Sequence, residues 1–233
     1  MEKIRQLINK RLPPGSFLRN VVTLMTGTTF AQVLTILVAP ILTRLYSPED
    51  YGVLALYTSV LGILAVVSCW RYELAIVLPE KDEDAANLLV LSILITLVMS
   101  LLTFIIVALF RQPVARLVGA PELAPWLWFL PLSLLAVGLF QAFNYWSTRR
   151  KQFKRLAART ITQSTATIVT QLGAGITLHP GPGGLIGGSI LGQLAATGRL
   201  AWQIGRDEGT QILKSIQRKR LKYMLLRYSE FPL

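Results

Sequence analysis

Histidine and cysteine are almost missing from this chain, with one of each, His179 and Cys69, in 233 residues. A disulfide within the chain is therefore impossible, and a zinc site of the Cys/His type is excluded. His179 stands beside Pro180 in a Gly/Pro turn and reads as a loop residue. Cys69 lies inside an apolar run and reads as a small packing residue. Charge is also scarce: 15% of residues are charged, against about a quarter in a soluble domain. With 52% hydrophobic residues and a mean hydropathy of +0.50, too little polar surface remains to cover a water-soluble globule. The chain also lacks a nucleophile–base set and an ATP-binding loop, so no covalent catalysis and no cofactor is expected.

What is present is a series of long apolar runs. A run of 18 or more mostly apolar residues can cross a bilayer core of about 30 Å. Six such runs occur, at residues 21–42, 51–78, 85–110, 126–146, 156–178 and 183–204. The fold class expected is an all-α integral membrane protein, a six-transmembrane-helix bundle. The division is an N-terminal segment 1–19, the bundle 20–204 and a basic segment 205–233. In the first segment Ile4, Leu7, Ile8 and Leu12 share one helical face, as in a helix lying on a membrane surface, and Pro13-Pro14-Gly15 breaks it. A signal peptide is the competing reading. The following apolar run is too long for an h-region, and no clear small-residue cleavage site follows.

The net charge of +12 raises the possibility of a nucleic-acid partner, and the placement of the charges argues against it. The N-terminal tail, Lys81, the loop Arg149–Arg159 and the tail from Arg206 carry nineteen cations. The opposite side has Arg44, Arg111 and Arg116. Such a bias places both termini in the cytoplasm, and the basic tail suits anionic headgroups as well.

Three stretches carry a family resemblance: APILTRLYSPEDYGVLALY at 39–57, RYELAIVLPEKDEDA at 71–85 and FNYWSTRRKQFKRLAAR at 143–159. The closing RYSEFPL at 227–233 resembles the lead-in to a seventh span. In order and spacing the chain resembles the oligosaccharide flippases, polysaccharide biosynthesis proteins of the multidrug/oligosaccharidyl-lipid/polysaccharide exporter superfamily. The resemblance implies a two-lobe exporter of which this chain supplies the N-terminal lobe, stopping where the missing C-terminal lobe would begin. It implies a lipid-linked oligosaccharide substrate, carried on a polyprenyl pyrophosphate, for cell-surface polysaccharide such as O-antigen or exopolysaccharide, in a bacterial inner membrane. An exporter of drugs or of peptidoglycan precursor is the nearest alternative. A non-transporting membrane scaffold and a membrane glycosyltransferase are the readings from other classes.

The candidate cavity residues follow from polarity within the spans. Arg71 and Glu73 lie roughly 8–12 Å inward from Pro79 if the second span is one helix. Charges at that depth face a cavity or a partner. Arg71 would hold a pyrophosphate or a sugar acid, or snorkel, or pair with a neighbouring helix. Thr160, Gln163, Ser164, Thr167, Thr170 and Gln171 form a polar stripe on the fifth span, which lines a cavity or bonds to other helices. Thr28, Gln32 and Thr35 on the first span, and Gln141 and Asn144 on the fourth, carry the same two readings. Gly184, Gly188, Gly192 and Ala196 recur every four residues, spacing that lets helix backbones approach closely. A phosphate-binding glycine loop is the rival, but no strand precedes them and no Gly-Lys-Ser/Thr follows. Asp82-Glu83-Asp84 matches the D-x-D pattern of glycosyltransferases, yet it precedes a helix, where carboxylates suit the amide ends.

Overall fold

A computed structural model describes residues 17–117, 119–177, 181–216 and 218–228. The expected surface helix of residues 1–12, the Pro13–Gly15 break, His179 and the part of RYSEFPL beyond Tyr228 lie outside the described residues. Among the described residues the structure is helical with no strand. The helices are α1 (Phe17–Leu45), α2 (Pro48–Val67), α3 (Tyr72–Ala75), α4 (Asp82–Leu117), α5 (Leu130–Arg149), α6 (Phe153–Thr177), α7 (Pro182–Ser215) and α8 (Arg218–Arg227). Two short 3-10 turns, Pro121–Leu123 and Trp126–Phe129, lead into α5.

Among the described residues four segments are long and apolar enough to cross a membrane: Val21–Leu45, Pro48–Val67, Asp82–Leu117 and Trp126–Arg149. The helices α6 and α7, with 25 and 34 residues, have the length but a more polar composition. Much of their polar surface is turned inward, because they pack along each other, and α6 also packs on α1 and α7 on α5.

Helix directions alternate, and the contacts show it. Gly27 lies against Ala157, and Tyr46 against Gly175, so α1 and α6 run parallel. Gly192 meets Thr167 and Gly184 meets Ala174, so α6 and α7 run antiparallel. Arg149 reaches Asp82 while Ser100 reaches Pro131, so α4 and α5 run antiparallel. One end of the bundle therefore gathers the turn after Tyr46, the segment before α5 and the turn before α7. The other gathers Pro79–Asp82, Arg149–Phe153 and the end of α7.

Local chemistry sets the boundaries. Ser47 accepts from the Asp50 amide while the Asp50 carboxylate accepts from the Ser47 amide, a capping box that starts α2 with Pro48 in its first turn. The α4 helix opens with Asp82, Glu83 and Asp84 in its first turn, where negative charge suits the dipole. These carboxylates also take ion pairs: Asp82 with Arg149 and Arg150, and Glu83 and Asp84 with Arg220 of α8.

The second span departs from the expected single helix over 51–78. The α2 helix ends at Val67, and α3 begins only at Tyr72. Between them Trp70 and Arg71 adopt the left-handed conformation, with φ of 49° and 58°. Each such residue costs on the order of 1–3 kcal/mol and persists only where its surroundings over-determine it. Here the helical ladder gives way to three-residue turns: the amides of Ser68, Trp70 and Tyr72 bond the carbonyls of Ala65, Val67 and Cys69. No proline or glycine lies between Gly62 and Pro79 to announce the break. The depth worked out for Arg71 along a straight helix does not apply to this broken segment.

Candidate functional site

The break in the second span sits against the middles of α4 and α5. Ser68 and Cys69 are fully buried there. The Ser68 hydroxyl donates to Gln141 Oε1 at 3.2 Å, and Gln141 Nε2 donates to the Ala65 carbonyl at 3.4 Å. Cys69 Sγ lies 3.2 Å from Thr96 Oγ1 and donates to the Gly138 carbonyl at 3.3 Å. Gly138 permits this approach, since a Cβ there would stand 2.5 Å from Thr96 Cγ2. Gln141, a candidate from the sequence, is thus part of what stabilises the break. Irregular backbone at membrane depth is tolerated where protein buries it or where it lines a cavity.

Arg71 and Glu73 part company at this point. Arg71 is exposed at the start of α3, and its side chain makes no hydrogen bond or ion pair among the described residues. Glu73 is 7% exposed, and its Oε2 is buried without a hydrogen-bond partner among the described residues. Asn144 is partly buried on α5, one turn beyond Gln141.

The polar stripe of α6 splits into two faces. Thr160 and Ser164 turn toward α1 and, with Thr28, Ala31, Gln32, Thr35 and Ile36, line a groove of about 310 Å³. Its polar groups are hydroxyls and one amide, with no charge. The hydroxyls of Thr28, Thr35 and Thr160 donate to carbonyls one turn back, which leaves their oxygens able to accept. Gln163, Thr167 and Gln171 turn instead toward α7. Gln163 Nε2 donates to Gln193 Oε1 at 2.7 Å, and Gln171 Nε2 donates to the Leu185 carbonyl at 3.2 Å. Thr167 and Gln171 pack on Gly192 and Gly188, where the small-residue repeat lets the two backbones meet. Tyr46 of α1 adds a bond from its hydroxyl to the Gln171 carbonyl at 2.6 Å.

Two arginines of this region went unread in the sequence. Arg199 lies inside the sixth apolar run, and Arg159 was counted with the basic loop. Arg159 turns inward, its guanidinium 3.5 Å from the centre of the Phe140 ring and its Nη2 donating to Gln193 Oε1 at 3.1 Å. Arg199 Nη1 donates to Thr162 Oγ1 at 2.5 Å. The signal available was a strong base within an otherwise uncharged run.

The rest of the basic loop meets carboxylates. Glu208 accepts from Arg150 at 3.1 Å, from Arg155 at 2.8 Å and from the indole of buried Trp146 at 2.8 Å. Asp207 pairs with Arg155 and Arg206, and the hydrogen bond from Arg206 foremost holds its carboxyl below the ordinary 3.8. These bonds tie together the ends of α4, α5, α6 and α7. Among the described residues no group of acidic, histidine or cysteine side chains is arranged to hold a metal ion.

No solved structure matches the chain. A stretch of 151 residues is 30% identical to the succinoglycan biosynthesis transport protein ExoT of Rhizobium meliloti (strain 1021), covering 63% of this chain and 29% of that protein. The chain thus spans under a third of the length of that relative. The model of the family described as polysaccharide biosynthesis protein matches residues 41–226. That match covers most of the chain, including the break, the groove's α6 wall and the arginine-rich end, and the protein belongs to the polysaccharide biosynthesis protein family.

Proposed function

We propose that this protein is one lobe of a transporter that flips lipid-linked oligosaccharide across the bacterial inner membrane for cell-surface polysaccharide. In this reading α1, α2 with α3, α4, α5, α6 and α7 make six spans, with both termini in the cytoplasm and the ion-paired end on the cytoplasmic side. Transport is alternating access against a second lobe. The observation that carries the reading is the uncharged groove between α1 and α6. A helix surface facing lipid would be apolar, whereas Thr28, Gln32, Thr35, Thr160 and Ser164 present acceptors and an amide of the kind that hydrogen-bonds sugar hydroxyls. Arg71, exposed beside the break, and Glu73 behind it complete the candidate cavity, with Gln141 and Asn144 supporting it from α5.

The test uses a strain without its own flippase, expressing this chain together with a matching second lobe. Ser164→Leu and Gln32→Leu fill the groove with apolar bulk and remove its polar groups. Both should abolish polysaccharide export while the protein remains in the membrane at normal abundance. Normal export by an abundant double variant would refute the reading.

A further inference from the structure

Five arginines at the ion-paired end, Arg149, Arg150, Arg155, Arg206 and Arg220, each bond a carboxylate. Arg159 and Arg199 do not, although Asp207 and Glu208 lie farther along the same α7 helix that bears Arg199. Both have only neutral partners among the described residues: Arg159 has Gln193 and the Phe140 ring, and Arg199 has Thr162. The Arg159 Nε is buried and donates to nothing among the described residues. A guanidinium taken out of water without a counter-anion is costly to keep. Phe140 covers one face of this guanidinium, and the in-plane fork of donors that a guanidinium carries suits a two-pronged acceptor.

The two cations converge on one stretch of α6. Arg199 is anchored on Thr162, three residues from Arg159, which is about 4.5 Å along the helix axis. Arg199 is exposed, so a ligand can reach it directly. We propose that Arg159 and Arg199, with Gln193 and Gln163 behind them, form a binding site for a phosphoryl anion between α6 and α7. This deepens the flippase reading and rests on it only for the identity of the carrier. The sugar goes to the uncharged groove on the α1 side of α6, and the phosphoryl group goes to the arginines on the α7 side. The same chemistry is available from two sources, the diphosphate of a polyprenyl carrier and the headgroup of an anionic phospholipid.

The full chain, held in nanodiscs of phosphatidylcholine, is titrated with a sugar-free polyprenyl diphosphate, and bound ligand is counted by native mass spectrometry. Phosphatidylglycerol is the competing titrant. Arg199→Gln changes an exposed side chain, and Arg159→Lys keeps the charge but loses the planar fork, so both variants retain the helical circular dichroism. Each should weaken diphosphate binding about tenfold, the loss of a charge-assisted hydrogen bond. Competition by phosphatidylglycerol at equal concentration would support the site with the headgroup as its occupant. Its failure to compete would support the polyprenyl carrier. Unchanged diphosphate affinity in both variants, or no binding of either lipid by the unaltered chain, would overturn the inference. Export by the two-lobe assembly together with unaltered affinity in the variants would refute this site alone. Binding through these arginines without any export would refute the flippase reading alone.

Discussion

Replacing Gly192 by alanine adds one methyl group where α6 and α7 pack closely. The new Cβ would fall on Thr167 Oγ1, and would stand 2.9 Å from the Gln163 carbonyl oxygen and 3.0 Å from Thr167 Cβ. Ordinary carbon contacts lie near 3.5–4.0 Å, so the helices must separate by roughly half an ångström or more. Thr167 offers little relief, because a β-branched side chain in a helix has few rotamers, and the Gln163 carbonyl is backbone. A gap of that size forfeits a quarter to a half of each contact along the seam and lengthens the Gln163–Gln193 bond. The expected loss is about 1–3 kcal/mol, the range for an overpacked core. The control is Gly198→Ala on the same helix, where a Cβ meets nothing within 4 Å. Unfolding in bicelles, followed by circular dichroism as denaturing detergent is added, measures both. Thr167→Ala in the Gly192→Ala background should recover part of the loss and not all of it, since the Gln163 carbonyl remains. Equal stability of Gly192→Ala and Gly198→Ala would show that the small-residue repeat does not bring these helices together.

The remaining predictions concern other parts of the bundle. Tyr57 and Ser133 share a buried hydrogen bond of 2.7 Å between α2 and α5. Tyr57→Phe should lose about 0.5–1 kcal/mol in the same unfolding assay, and adding Ser133→Ala should lose little more. Glu208 accepts from three donors, so Glu208→Ala should destabilise by about 1–3 kcal/mol, chiefly by leaving the indole N–H of buried Trp146 without an acceptor, since Arg150 and Arg155 keep Asp82 and Asp207. The depressed pKa of Asp207 gives stability that is present at neutral pH and lost as pH falls below about 4. Asp207→Asn should therefore weaken the protein at pH 7 and flatten that acid limb of the stability profile. A reporter joined after Arg155 should be cytoplasmic and one joined after Pro182 external, and reversed labelling would sink the six-span topology.

Composition and periodicity carried much of the fold. The runs at 21–42, 85–110 and 126–146 correspond to α1, α4 and the end turn with α5, because an apolar stretch long enough to cross a bilayer needs little tertiary context to be recognised. Asp82–Asp84 as a helix opening and the four-residue glycine repeat as a close helix contact were local signals, and each operates within a turn or two of its own residue. The candidate site was less evident. The stripe on α6 was visible as a stripe, but helical spacing alone cannot say that Thr160 and Ser164 face α1 while Gln163, Thr167 and Gln171 face α7.

The sequence by itself determined that this protein is a set of membrane helices, where most of them lie and which end of the bundle is basic, since hydropathy and charge are properties of each segment. Only the tertiary structure decided the rest. It broke the second span at Ser68–Arg71, where Gln141 of α5 bonds the Ala65 carbonyl and Thr96 of α4 meets the Cys69 thiol, both distant in sequence. It left Arg71 exposed and buried Glu73 two residues on. It gave carboxylate partners to Arg149, Arg150 and Arg155 and, among the described residues, none to Arg159 and Arg199. Pairing and burial depend on which groups distant in sequence meet across the bundle, and no window along the chain contains that information.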